Sequence, residues 1–479
     1  MRNHPLGEVI GKRYILVFIV PKEVIFGVQH IYLGELNTVL SFIQRFVTRG
    51  MRVFLLVWFG QMISLIGSGL TGFALGIWVY QRTGSATQFA LIYLFAMLPQ
   101  ILMSPIAGAL VDRWNRRWAM ILSDTGAAVS TLAIALLAFT EYLEIWHIYL
   151  AVAISSTFSA FQWPAYSAAI TLLVPKRHFA RVSGMTQLGQ AVAHIISPVL
   201  GGILLVTIQL QGVILLDLVT FIFALVTLLL VRFPEVKTTV AESAKKNGLL
   251  REIWYGWHYL KDRPGLLGLL ILFAINNFVQ GIVTTLFTPF ALSFTSVTVL
   301  GTFLSIGGLG MLMGSLVMST WGGPKRLIYG VFGFLLLEGV CILMTGLPPV
   351  FPILAVLIFI YFFSVPFFVG CKQAILQRKV APEVQGRVFA MERMIAWSFL
   401  PLAYLVAGPL ADYVFEPLMT PNGYLAGSLG PIIGVGQGRG IALLFIMMGA
   451  LIILATIVAY QSPRLRRVED ELPDAVADS

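Results

Sequence analysis

The chain has 479 residues, of which 58% are hydrophobic and 11% charged, whereas an ordinary soluble domain carries about 25% charged residues. That balance leaves too little polar surface for a water-soluble protein and makes this a polytopic membrane protein, while the net charge of +10 raises nucleic-acid binding as an option that the placement of the basic residues decides. The two cysteines, Cys341 and Cys371, both sit in apolar runs, and the six histidines are scattered with no H-E-x-x-H, so no disulfide framework, metal site or cofactor is expected.

Residues 1–52 are expected to form a cytosolic extension. The apolar run Tyr14 to Pro21 is cut short by Lys22 and Glu23 and is too brief to cross a bilayer, and no A-x-A-like cleavage site comes after it. From Leu36 the apolar Val39, Leu40, Ile43, Phe46 and Val47 recur at helical spacing opposite Asn37, Ser41, Gln44 and Arg45, the pattern of an interfacial amphipathic helix. The alternative is that Met51 begins the functional protein.

Twelve apolar stretches come next, at 53–80, 88–111, 118–139, 146–174, 184–207, 212–232, 265–293, 297–320, 327–346, 350–376, 388–413 and 438–461. Each approaches or exceeds the ~20 residues that cross a hydrocarbon core at 1.5 Å per residue. They fall into an N-terminal half, 53–232, and a C-terminal half, 264–461, joined by a linker, 233–263, and succeeded by a tail, 462–479. With both termini in the cytosol, every Lys and Arg except Arg82 and Arg439 falls in or beside a cytosolic segment. The basic excess therefore orients the chain in the lipid bilayer, and no nucleic-acid partner is expected. In the linker, Leu249, Leu250, Ile253, Trp254, Trp257 and Leu260 share one helical face, as an amphipathic helix on the cytosolic surface would. The halves repeat: Gly108 and Gly314, and likewise Arg181 and Arg387, lie 206 residues apart.

Between the second and third stretches, Gly108, Asp112, Arg113, Arg116 and Arg117 complete a G-x-x-x-D-R-x-x-R-R pattern. Here the chain resembles the major facilitator superfamily of secondary transporters. The second copy is degraded, with Met318 at the place of Asp112. The fifth stretch is similar to the superfamily's antiporter pattern at Gly184, Pro198, Gly201 and Gly202, with Ala193 and Ser197 as small replacements. Ordinary close packing of small residues is the alternative.

The resemblance covers about 51–461 and lies with the efflux branch that contains macrolide and enterobactin exporters. It implies an all-α fold of two pseudo-symmetric six-helix halves in the bacterial inner membrane, a monomer without enzymatic activity. It also implies export of a small amphiphilic molecule (drug, siderophore or secondary metabolite) by proton antiport, with the substrate held between halves that rock in alternating access. The rivals are an uptake permease, a membrane-embedded enzyme and a lipid scramblase. No G-x-x-x-x-G-K-[ST] loop is present to bind ATP.

The same fold places helices 1, 4, 7 and 10 around the central cavity. Polar positions fall on one face of each: Gln61 and Ser64, Ser159 and Gln162, Asn276, Asn277 and Gln280, and Tyr361. These are the candidate substrate contacts, since polar groups facing lipid are costly; hydrogen bonding between helices is the alternative. The four helices carry no acid and a single Lys, Lys372, so neutral or anionic amphiphiles are expected. The candidates for proton coupling are Asp124, Asp217, Glu338 and His194. Helices 3, 6 and 9 are peripheral in this fold, which weighs against Asp217 and Glu338, and Asp124 has a second reading as part of the cytosolic charge network.

Asp112 ends helix 2, and the fold sets it beside the start of helix 11 near Arg387. A carboxylate there accepts from free backbone N–H groups at a positive helix end, worth about 0.3 to 2 kcal/mol, and only while the cytosolic ends are together. Asp112→Asn is expected to abolish transport at unchanged membrane abundance and to make cytosolic-side cysteines more reactive; unchanged transport and reactivity would reduce the motif to a topology signal.

Overall fold

The computed structural model describes residues 49–111, 114–175, 178–231, 257–348, 350–380 and 382–471. Asp112, Arg113, the side chain of Arg387, the amphipathic stretch after Leu36 and most of the linker lie outside the described residues. Met1–Val53 and Phe54–Ser479 are separate compact units, and the second holds the helical bundle.

Twelve long helices carry the fold: α1 Arg49–Thr83, α2 Ala86–Val111, α3 Arg116–Phe139, α4 Ile145–Leu173, α5 Phe179–Thr207, α6 Gln209–Leu230, α7 Pro264–Leu292, α8 Val297–Trp321, α9 Leu327–Thr345, α10 Phe351–Lys379, α11 Pro382–Pro409 and α12 Arg439–Gln461. No strand occurs among the described residues. Among the described residues, eleven stretches are long and apolar enough to cross a membrane on length and composition alone. The exception is α4, diluted by Ser155, Ser156, Thr157, Ser159 and Gln162, a helix that hides its polar face against neighbours. Local chemistry sets the ends. Asn115 accepts from the backbone N–H of Arg117 at 3.0 Å to open α3. Gly322, at φ +75°, closes α8 in the left-handed conformation that glycine adopts without strain. Helices α5 and α11 begin earlier than the apolar runs, at Phe179 and Pro382.

The packing repeats as the sequence does. Contacts of α2 with α4, α3 with α4 and α3 with α6 recur six helices later as α8 with α10, α9 with α10 and α9 with α12. The contacts between halves, α2 with α11 and α5 with α8, are related by the same shift. Lipid tails are as apolar as leucine, so helix association rests on close van der Waals fit more than on hydrophobic burial. Phe290 of α7 meets Phe445 of α12 edge-on, with centroids 5.3 Å apart.

The tail after α12 is in part helical. Short helices at Pro463–Arg466 and Val468–Glu471 come after α12, and Leu465 packs in the core of the C-terminal half with Leu260 and Leu266. Glu469 accepts from the first backbone N–H groups of α9, Leu327 at 3.2 Å and Ile328 at 2.8 Å. The physical reason is the same as for any helix end: those donors have no partner in their own helix.

The two repeat-related glycines behave differently. A side chain at Gly314 would overlap the backbone carbonyl of Phe363 in α10, whereas among the described residues nothing lies within 4 Å of the corresponding point at Gly108. Gly314→Leu is therefore expected to destabilise the C-terminal half by about 1 to 3 kcal/mol or more, read as a clear fall in the thermal unfolding midpoint in detergent. Gly108→Leu should leave that midpoint within error, and an equal fall for both would contradict the difference in packing.

Candidate functional site

Two constellations stand out, the first at the end of the bundle that carries the α1–α2 turn. After Pro409, α11 passes into a π-helical turn, Leu410–Phe415, that presents Asp412. Its carboxylate accepts from Ser85 Oγ at 2.7 Å and from the backbone N–H groups of Ala86 at 3.0 Å and Thr87 at 2.8 Å. These amides open α2, where no intrahelical acceptor exists and the helix end is positive. An acid of the C-terminal half thus caps a helix of the N-terminal half. Gly408, one turn earlier, makes the approach feasible, because any Cβ there would overlap the backbone of Thr87.

Other cross-half contacts gather at the same end. Tyr80 at the close of α1 donates to the carbonyl of Pro289 near the close of α7 at 3.4 Å. Ser305 of α8 donates to the carbonyl of Ile195 in α5. A Cβ at Gly202 would lie 3.0 Å from the carbonyl of Val297, and one at Gly301 would overlap the carbonyl of Pro198. Pro198 and Gly202 therefore lie where α5 crosses α8. Gly201 faces Phe73 of α1, while Gly184 has open space around it.

The second constellation lies inside the N-terminal half. Asp124 of α3, 7% exposed, accepts from Gln61 Nε2 of α1 at 2.8 Å, and Gln61 Oε1 accepts from Gln162 Nε2 of α4 at 2.6 Å. Gln61, Gln162 and Ser159 line a cavity of about 270 Å³ with Trp58, Trp163 and Tyr166. The chain of amides thus runs from the cavity wall to a buried acid. Asp124 belongs to this relay, bonded to an amide rather than to a charge at the α2–α3 end. Gln162 also reaches the Asp124 carboxylate, and its Oε1 is buried with no hydrogen-bond partner among the described residues.

The other expected residues are spread through both halves. Ser64, Asn276, Asn277 and Tyr361 are buried within the halves, and Gln280 is half-buried. Asn276 and Ser364 face Glu338 of α9, which is 0% exposed and makes no hydrogen bond through either oxygen among the described residues. The acid sits behind α7 and α10, so the amide of Asn276 turns inward. Asp217 of α6 lies apart, 1% exposed, at the wall of a different cavity. His194 is exposed. Arg117 donates to the last carbonyls of α6, Leu228 at 2.8 Å and Leu229 at 2.6 Å, as a cation at a helix C-terminus should, and pairs with no acid among the described residues. Lys372 pairs with Glu392 and lies 3.5 Å from the ring centroid of Phe273. Its charge is compensated within the half, which removes the electrostatic ground for expecting anionic substrates.

Nothing in the sequence alone joins Asp412 to its partner. A signal exists in the Thr83-Gly84-Ser85 turn, where a serine precedes a helix, but pairing it with an acid 327 residues away needs the fold.

The sequence profile described as Major Facilitator Superfamily matches residues 57–403. Macrolide efflux protein A of Streptococcus pyogenes is 30% identical over 366 residues, 75% of this chain and 90% of that protein. Multidrug efflux pump Tap of Mycolicibacterium fortuitum is 25% identical over 371 residues, 75% of this chain and 89% of that protein. In fold, the chain resembles an inward-facing bacterial homologue of the iron transporter ferroportin at a TM-score of 0.64 and 12% identity, covering 88% of this chain and 99% of that one. An inward-facing bacterial homologue of the human lysosomal transporter Spinster gives 0.63 and 16%, covering 86% and 99%.

Removing the charge of Asp412 leaves two α2 amides facing a weaker acceptor, and charge-assisted bonds contribute about 1.5 to 3 kcal/mol each. Asp412→Asn is expected to raise the thiol reactivity of a cysteine placed at Ala86, which is 2% exposed, by at least tenfold (~1.4 kcal/mol). Unchanged reactivity would show that the carboxylate does not hold the halves together.

Proposed function

The chain belongs to the major facilitator superfamily of membrane transporters, and from that premise we propose that it exports a small amphiphilic molecule from the cytosol in exchange for protons, by alternating access. The observation that carries this reading is the hydrogen-bonded relay from the cavity wall through Gln162 and Gln61 to Asp124. The placement of basic residues supports a cytosolic α2–α3 end and cytosolic termini. The end pinned by Asp412 then faces outward, and this conformation is the one that receives substrate from the cytosol. The relatives named for macrolide and multidrug efflux support export and a drug-like substrate. The cavity wall agrees, with Trp58, Trp163 and Tyr166 for an apolar body and Gln61, Gln162 and Gln190 for its polar groups.

The relay supplies a route to coupling. With Asp124 ionised, Gln61 donates to it, Gln162 donates to Gln61, and Gln162 Oε1 keeps an unpartnered lone pair, buried beside the cavity that Gln162 lines, for a donor on the bound substrate to meet. A proton on Asp124 turns that acid into a donor, and the amides reverse in register so that an N–H replaces the lone pair. A substrate held through a hydroxyl or ammonium donor is then released. Substrate and proton thus exclude each other without touching, which antiport requires.

Asp124→Asn is expected to abolish substrate efflux driven by a pH gradient in proteoliposomes while leaving gradient-independent exchange of labelled erythromycin, a macrolide probe, within about threefold of wild type. Gln61→Leu should impair both. Wild-type pH-driven efflux by the Asp124→Asn protein would remove the relay from coupling, and accumulation in place of depletion would make the protein an uptake permease.

A further inference from the structure

Asp217 takes no part in the relay or in the contacts between halves, yet it is the one titratable side chain at the wall of a cavity of about 230 Å³ enclosed by α1, α2, α3, α4 and α6. No cation pairs with it among the described residues. A carboxylate held away from water in a helix bundle needs a compensating positive partner or a proton, because isolated charge is costly there. The chemistry of the walls shows which partner they are built for.

Three of the hydroxyls at the wall direct their protons at helix carbonyls. Ser130 donates to Gly126 at 3.0 Å, Ser156 to Ala96 at 2.6 Å and Ser159 to Ser155 at 2.9 Å. What those three groups can offer the cavity is lone pairs. Thr71 stands beside the Asp217 carboxylate and is buried, and its Oγ1 makes no hydrogen bond of good geometry among the described residues. Thr220 closes the other side, its hydroxyl donating to the Asp217 backbone carbonyl at 2.7 Å. Among the lining side chains, the amide of Gln100 is the one nitrogen donor. Ser68 and Thr71 also turn hydroxyls toward the Asp217 carboxylate, so the cavity gathers hard hydroxyl oxygens around one acid and holds no cationic side chain among the described residues. That composition suits a small hard cation and disfavours an anion or an acceptor-bearing organic molecule. Its volume accommodates a cation with several retained waters at about 30 Å³ each.

We propose that this cavity is a binding site for a small monovalent cation, sodium, with Asp217 supplying the charge and Thr71 a neutral oxygen ligand. The site sits inside one half, next to the cavity that Gln61 and Gln162 line and with Ser159 at the wall of both, so a bound ion would act on the stability of the N-terminal half and on the α1–α6 contact. There, a Cβ at Gly67 of α1 would come within 2.8 Å of Asp217 Oδ1, so the helix and the carboxylate are packed tightly enough for each to report on the other.

The test is thermal unfolding of the purified full-length protein in detergent, titrated with sodium chloride replacing choline chloride at constant ionic strength and fixed pH, with potassium chloride as a parallel arm. Ligand binding to the folded state raises the midpoint in proportion to occupancy. Wild type is expected to be stabilised by sodium and not by potassium. In Asp217→Asn the sodium response should disappear, and in Thr71→Val, which keeps the side-chain shape and removes the oxygen, it should need at least tenfold more sodium. No sodium response in wild type, an equal response to potassium, or an unchanged titration in Thr71→Val overturns the proposal. So does stabilisation by lowered pH alone, which would make Asp217 a protonated acid. If Asp217→Asn does not fold, Thr71→Val decides. Because the readout is binding and not transport, the outcome is independent of whether the chain exports by proton antiport.

Discussion

The constraint on which this structure turns is the set of backbone N–H groups left over at the start of each membrane helix. They have no partner in their own helix and, at the edge of a bilayer, limited access to water, so each must find an acceptor. Carboxylates meet that need at several helices, three of them through an acid distant in sequence or on another element. Glu469 caps α9, Glu416 accepts from Gly438 and Ile441 at the start of α12, both at 3.1 Å, and Asp412 caps α2. The first two bonds stay within the C-terminal half and stabilise its fold. The third crosses to the N-terminal half, so the same chemistry that finishes a helix elsewhere here determines which ends of the two halves are joined.

Under the proposed alternating access, that placement would make the cycle asymmetric. The α2–α11 contact is related by the internal repeat to α5–α8, but only the former carries a charge among the described residues, and the latter is a fit of Gly202, Gly301 and Pro198 backbone. A packed backbone contact is short-ranged and separates without leaving a charged group unpaired, while an acid on a helix end must be rehydrated when the halves part. The cost of leaving this conformation is therefore concentrated at Asp412. On the opposite end of the same two helices, the motif around Asp112 implies a counterpart of the same kind, α2 supplying the acid and α11 the helix start. The two ends would then compete, since one bond forms only where the other is broken.

The twelve helices, their two-fold repetition and their family are legible in the sequence, because hydrophobic runs of membrane length and a cluster of five motif residues are local signals. The three relay residues, Gln61, Gln162 and Asp124, are legible too, but split between substrate cavity and proton coupling, since the hydrogen bonds that join them span 63 and 101 residues. Asn276 shares the periodicity of cavity residues and faces a buried acid, while Tyr361 lines a small cavity of about 60 Å³ inside the C-terminal half: spacing gives the face of a helix but not whether Glu338 of α9 lies behind it. Lys372 illustrates the same limit. Its charge is visible in the sequence, and its neutralisation by Glu392 on the next helix is not.

Reciprocal closure of the two ends is the central claim, and distances measured at both ends of one protein test it most directly. Spin labels at Gln81 and Tyr424 report on the α1–α2 end, and labels at Trp118 and Lys325 on the α2–α3 end, all exposed positions in separate halves. In reconstituted protein taken through substrate and pH steps, the two distance distributions should move in opposite directions, the first lengthening as the second shortens, with both populations shifting together in Asp412→Asn. Distances that rise and fall together, or a first pair that never lengthens under any condition, would contradict the account.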